Sequence, residues 1–177
     1  RTVRWTMQQK WNQNFDGEPM ADIPQKFLNA GCDVYMVMQL RHDEKIFDER
    51  FASMRELHRR GKTPDPEHYE VTYYADLPAM WQDVPSNEVL EELFQMFNLS
   101  RPQDFEGHSL SVSDVIALKR NGEVSVHYVD SIGFKDLQGF LDKQPERHSV
   151  LLNLKEKCDA PECNPTGCRK VRADHEL

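Results

Sequence analysis

A chain of 177 residues and 20.7 kDa has room for one ordinary domain with extensions, or for two very small ones. With 38% hydrophobic, 10% aromatic and 29% charged residues it can bury a core and is too apolar for wholesale disorder, and no stretch nears the about eighteen uninterrupted apolar residues of a membrane-spanning helix. The formal net charge of −8 sits in the middle, where 11 basic and 20 acidic side chains between residues 31 and 141 leave −9, so non-specific binding to a phosphate backbone is disfavoured.

In chain order, Val3, Trp5 and Met7 alternate ahead of a polar run, as in a short strand or an arm on a partner. No basic segment followed by an apolar run opens the chain, so no signal peptide is expected. Residues 22–30 have helical character, with Ile23, Phe27 and Leu28 on one side and Gly31 placed to stop the helix. The β-rich run 33–40 puts Val34, Met36, Met38 and Leu40 on one face. Phe47, Phe51, Met54 and Leu57 recur at helical spacing and predict one amphipathic helix with a buried stripe, ended by Gly61. Pro64 and Pro66 mark a loop. Residues 69–75 predict a strand with Tyr69, Val71 and Tyr73 on one face and Glu70, Thr72 and Tyr74 on the other.

Ser86 is placed to cap a helix running to Phe97, with Glu88 in its first turn and Val89, Leu90, Leu93, Phe94 and Phe97 buried. The apolar run 112–118, the turn Lys119-Arg-Asn-Gly122 and the strand 123–129 predict a type I′ hairpin, since Asn and Gly both tolerate positive φ. Phe134, Leu137, Phe140 and Leu141 predict a short closing helix, and residues 150–157 a further turn or two. The fold class expected is α+β: a small, mainly antiparallel sheet with a C-terminal β-hairpin and three to four packed helices. The chain divides into an arm and short helix (1–31), the α+β domain (32–141) and an extension with three cysteines (142–177).

Several separated segments resemble the YodL-like domain family. They are His108-Ser-Leu-Ser-Val-Ser-Asp-Val-Ile116 and His127-Tyr-Val-Asp-Ser-Ile-Gly-Phe134, with Arg50-Phe51, Tyr69-Glu-Val-Thr-Tyr-Tyr-Ala75 and Phe97-Asn-Leu before Pro102-Gln-Asp-Phe-Glu-Gly107. The resemblance covers roughly residues 33 to 141. It implies an association with bacterial conjugative elements and related mobile DNA, where such domains sit beside helicase- or methylase-like modules. It carries over no catalytic residues. Ser131-Ile-Gly-Phe134 departs from the aromatic that relatives often place before the Gly-Phe.

The remaining motifs weigh function. Gly-x-Ser-x-Gly, Walker, Gly-x-Gly-x-x-Gly and His-x-x-x-His patterns are all missing, so neither a nucleophile elbow nor nucleotide or catalytic-metal chemistry is indicated, and no cofactor is expected. Cys158, Cys163 and Cys168 with His175 could furnish tetrahedral zinc ligands, but their x4 spacing lacks the tighter pairs of zinc knuckles; with Cys32 alone before the core, a reducing, intracellular compartment is expected, which the family resemblance implies is the bacterial cytoplasm. The function expected is a non-enzymatic binding or accessory module with a protein partner. The tentative contacts are His108, Asp114, His127, Tyr128 and Asp130, with the acidic flank Glu88, Glu91 and Glu92. One alternative is nucleic-acid handling through Arg59-Arg60-Lys62 and Arg169-Lys170-Arg172. The other is a hydrolase using His127 with Ser113 or Asp114.

Overall fold

Seven successive residues buried on both faces, Val34–Leu40, form the axis of the fold. In the computed structural model, which describes residues 22–143, the chain runs α1 (Ile23–Asn29), β1 (Val34–Leu40), α2 (Met54–Arg59), β2 (Tyr69–Asp76), α3 (Ser86–Leu99), β3 (Val115–Arg120), β4 (Glu123–Val129) and β5 (Phe134–Asp136), with short 3-10 turns between. The strands make one five-stranded sheet of order β2-β1-β3-β4-β5. Every neighbouring pair is antiparallel, as an α+β reading requires. The Val3–Met7 arm, the residues 150–157, the Arg169-Lys170-Arg172 cluster and the cysteine tail lie outside the described residues.

The sheet separates two apolar layers. One holds Val34, Met36, Met38 and Leu40 of β1 with Ile23 and Phe27 of α1, Leu57 of α2, and Phe140 and Leu141. The other packs Tyr35 and Val37 of β1 beneath Val89, Leu90, Leu93, Met96 and Phe97 of α3. A strand covered on both faces needs no polar alternation, which is why β1 reads as a nearly unbroken apolar run.

Four details differ from the sequence reading, each for a local reason. The predicted helix through Phe47 and Leu57 is broken into a 3-10 turn, Glu44–Glu49, and the short α2. Phe51 lies between them in the left-handed region (φ +59), and Ser53 starts α2 afresh with a capping box. Its hydroxyl accepts from Glu56 N at 3.2 Å while Glu56 Oε2 accepts from Ser53 N at 2.8 Å. Phe47 and Phe51 are therefore not core residues; they stand 67% and 66% exposed.

In β2 the register shifts at Thr72, where Val71 and Tyr73 oppose Met38 and Val37. One extra residue reverses the alternation, so Tyr69, Val71 and Tyr74 face the α1 layer while Tyr73 and Ala75 face α3. Ser86 is a helical residue rather than the cap of α3, and its hydroxyl accepts from Arg120 Nη1 at 3.0 Å. Phe134 belongs not to a closing helix but to β5, paired with Val129.

The hairpin is as expected: Asn121 and Gly122 take φ of +51 and +80. Its tip also fastens α1 and α3. Lys119 Nζ donates to the carbonyls of Leu28 and Ala30, both at 2.6 Å, gathering the C-terminal end of α1. Arg120 Nη2 donates to Trp81 O and Gln82 O beside the start of α3.

Candidate functional site

At the end of the sheet where β1 and β4 leave and β2 and β3 enter, four loops meet. A carboxylate sits beneath them. Asp114 is 1% exposed, and its Oδ2 accepts from Gln39 Nε2 and from Ser111 N, both at 3.0 Å. Burial pushes its carboxyl up to about 6, against the opposing pull of these hydrogen bonds and of His108 and Arg50 nearby. Gln39, also buried, donates from the same amide nitrogen to His108 O at 2.9 Å. Its Oε1, without a hydrogen-bond partner among the described residues, lies so close to Gly107 that a Cβ there would meet it at 2.3 Å. A side chain at Gly107 would thus have to displace the Gln39 amide and the Phe105 ring.

His108 is exposed above this layer, with Nδ1 3.9 Å from Asp114 Oδ2. That nitrogen lies between an acceptor, Ser109 O at 2.8 Å, and a donor, Gln39 Nε2 at 3.1 Å, so one tautomer satisfies the carbonyl and the other the amide. Among the described residues His108 Nε2 has no partner.

The corner at residues 51–54 is held in place from the sheet by three side chains. Phe51 N donates to Ser113 Oγ at 3.2 Å. Ala52 O accepts from Tyr128 Oη at 2.7 Å. Met54 N donates to Asp130 Oδ1 at 3.1 Å. Ser113 is itself in the left-handed region (φ +89), and its carbonyl accepts from Tyr69 Oη at 2.8 Å. Two non-glycine residues in that region, hydrogen-bonded to each other, store backbone strain that the surrounding bonds must hold. The ring so presented is that of Phe51, which faces solvent. Beside it the half-buried Arg50 donates from Nη2 to a ring nitrogen of His42 at 3.0 Å.

The residues singled out from sequence therefore take different parts. His108 is exposed at the site and Asp130 is half-buried there. Asp114 and Tyr128 converge on the same place from beneath, and neither side chain can touch a partner, since both are enclosed and bonded inward. Burial also pushes the Tyr128 phenol up. Glu88, Glu91 and Glu92 are exposed on α3.

His127 lies elsewhere, at the β4–β5 edge. Its Nδ1 is 2.8 Å from Asp136 Oδ1 and its Nε2 2.9 Å from Ser125 Oγ, so both ring nitrogens are occupied and neither bonds Ser113 or Asp114. Burial pulls its basicity down against the attraction of Asp136, which favours a neutral imidazole. The Ser125–His127–Asp136 array has the connectivity of a hydrolytic triad. Nucleophilic attack would also need N–H donors for an oxyanion. Because Val126 O accepts from Leu137 N on the β5 side, strand alternation turns the Ser125 main chain into the β3 ladder, where its N–H is already used. The array ties β5 to β4.

Of the two residues that sequence reasoning misplaced, Phe47 and Phe51, both assigned to a buried stripe by their spacing, it is Phe51 that stands at the site. Two signals pointed elsewhere: its membership, with Arg50, in a segment carrying the family resemblance, and the capping pattern Ser53-Met-Arg-Glu56 that starts a new helix just after it. Of the predicted basic cluster, Arg60 donates to Asp48 O and Lys62 pairs with Asp48 and Glu49 at 2.9 and 3.3 Å, whereas Arg59 is exposed. Among the described residues no three His, Cys, Asp or Glu side chains group as metal ligands, and no helix is long and apolar enough to cross a membrane.

Fold and site together define an α+β domain whose distinctive end is an aromatic corner braced on a buried polar cluster. The family model of the YodL-like domain matches residues 34–140, more than half of the chain, and the chain belongs to that family. No curated protein and no solved structure matches it.

Proposed function

We propose that this chain is a non-catalytic binding module that engages another protein, acting in the bacterial cytoplasm in the mobile-element setting to which the family resemblance points. One observation carries the reading: Phe51 is held in a strained backbone conformation by Ser113 while its ring is 66% exposed. A bulky residue gains nothing for folding by being strained and solvated at once. A ring on a rigid support, by contrast, loses little conformational freedom when it docks, and aromatic anchors of this kind dominate protein interfaces. Arg50 and His42, bonded to each other beside it, provide polar groups at its rim.

The test places a photo-crosslinking phenylalanine analogue at Phe51 and at the exposed, remote Glu123, in cells that express the full chain. Stoichiometric crosslinks to a protein from position 51 and not from 123 support the reading. Equal labelling from both positions, or none from 51, overturns it.

Nucleic-acid handling is favoured by a separate observation. Arg55 and Arg59 are exposed close in sequence to Phe47 and Phe51, and single strands are bound by cations beside aromatic stacking platforms. That reading requires an affinity for oligothymidine that falls steeply with salt; affinity indifferent to salt, or none, eliminates it.

A further inference from the structure

Charge within the domain is distributed unevenly. Residues 41–62 carry seven Lys and Arg against five Asp and Glu, a net of +2, whereas residues 31–40 and 63–141 together carry four against fifteen, a net of −11. Part of the basic share is spent internally, on Arg60 and Lys62 as described. Arg55 and Arg59 are not: both are exposed, on the side of α2 opposite the buried Leu57, and neither makes a hydrogen bond or ion pair among the described residues. The exposed rings of Phe47 and Phe51 fall in this same segment. An apolar and cationic surface has thus been set into an acidic domain.

The complementary surface is on α3. Glu88, Glu91, Glu92 and Gln95 are exposed, and at 100° per residue they share one stripe with Leu99, which is 81% exposed. That stripe lies opposite Leu90, Leu93 and Phe97, which pack into the sheet. It is acidic and ends in a solvated leucine, the chemistry that a corner of two phenylalanines and two unpaired arginines would recognise. The corner and the stripe come from opposite layers of the sheet, so one copy of the domain cannot satisfy both.

We infer that the corner at residues 47–59 docks on the acidic α3 stripe of a second copy of this chain. The inference rests on the binding-module reading and names its partner. The two surfaces differ, so the contact is head-to-tail: each bound copy leaves one corner and one stripe open, and assembly proceeds to a ring or an open chain. Electrostatic attraction brings the surfaces together, and apolar contact of Phe47 and Phe51 with Leu99 limits their separation.

The experiment uses sedimentation of the full chain and two variants. The corner variant carries Phe51→Gly and Arg59→Glu; the stripe variant carries Glu92→Lys and Leu99→Ala. All four changes are at exposed positions, and circular dichroism confirms that each variant is folded. Wild type is expected to associate with rising concentration beyond a dimer, and to weaken by about tenfold or more when salt rises from tens to hundreds of millimolar. Each variant alone is expected to be monomeric. Mixed in equal amounts they regain one functional interface and stop at a dimer.

A wild type that stays monomeric at several hundred micromolar overturns the inference, as does a mixture that remains monomeric while wild type associates. The salt titration needs no variant and guards against a loss of fold. If wild type is monomeric and crosslinks from Phe51 still capture another protein, this inference falls and the binding-module reading stands. If those crosslinks are missing as well, both fall.

Discussion

Replacing Phe51 by glycine and by alanine gives opposite expectations from those at an ordinary position. At negative φ, glycine is less stable than alanine by about 0.5–1 kcal/mol, because its unfolded chain is freer. At Phe51 the native φ is +59, and a residue with a Cβ is penalised there by about 1–2 kcal/mol. Both substitutions forfeit the same ring contacts. With the ring about two-thirds exposed, that loss is about a third of a full phenylalanine burial, or roughly 0.5–1 kcal/mol. Alanine keeps the strain and loses the contacts; glycine loses both. Set against its entropy, the strain relief leaves Phe51→Gly more stable than Phe51→Ala by roughly 1 kcal/mol, or about 2–4 °C in melting temperature for a chain of this size. Urea unfolding of wild type and the two variants measures the difference directly. An alanine variant as stable as glycine, or more so, would refute the claim that Ser113 holds this corner under strain, and the main support for a docking role would go with it. Both variants are expected to lose crosslinking or association alike, since both lose the ring.

Asp114 binds its proton more tightly folded than unfolded, with a folded value of about 6 raised by burial. Its contribution is therefore fully present below pH ~4 and lost as pH rises through 6, a swing on the order of 3 kcal/mol. Asp114→Asn should flatten that part of the stability profile in urea melts run across pH 4–7, and a wild-type minus variant difference that does not change over the window contradicts the burial argument. Gly107→Ala drives a methyl group against Gln39 Oε1 and the Phe105 ring and is expected to lower stability by about 1–3 kcal/mol; a loss under about 0.5 kcal/mol would mean that the Gln39 amide can move aside. Tyr128→Phe removes the buried donor to Ala52 O and should destabilise by about 1–2 kcal/mol in chemical denaturation. Partner capture by the folded fraction should weaken as the corner loses one of its three braces, and capture equal to wild type at full folding would show that Ser113 and Asp130 hold the corner without the phenol.

Those positions show how far the sequence could be read. β1 and the β3–β4 hairpin were legible because a doubly covered strand needs an unbroken apolar run and a type I′ turn needs Asn-Gly. α3 was legible because its buried residues keep the helical period through Phe97. The 47–57 segment misled for the same reason: four apolar residues kept the period, although the capping pattern Ser53-Met-Arg-Glu56 was present to mark a new helix start. No pattern marks the bulge at Thr72, since one additional residue alters pairing without altering composition. At the site, residue types pointed the wrong way. Asp114 and Gln39 are polar and deeply buried, while Phe47 and Phe51 are aromatic and exposed, and each inversion depends on partners distant in the chain. Tyr128 and Asp130 stand out in the sequence as candidate contacts, and in the fold both brace the corner on which Phe51 is presented.

The tip of the hairpin has a kinetic consequence. Lys119 and Arg120 are adjacent, yet one fastens the end of α1, about ninety residues upstream, and the other the start of α3, some thirty-five residues upstream. The hairpin closes over a short loop, whereas either helix must cross a long one to reach it, so local pairing precedes remote capture. The tip is then a nucleus on which two distant segments condense from opposite faces. A substitution that disturbs it, such as Gly122→Ala at φ +80, should slow folding in stopped-flow refolding far more than it speeds unfolding, and the interval before the helices arrive is when the apolar faces of β1 are most exposed to aggregation.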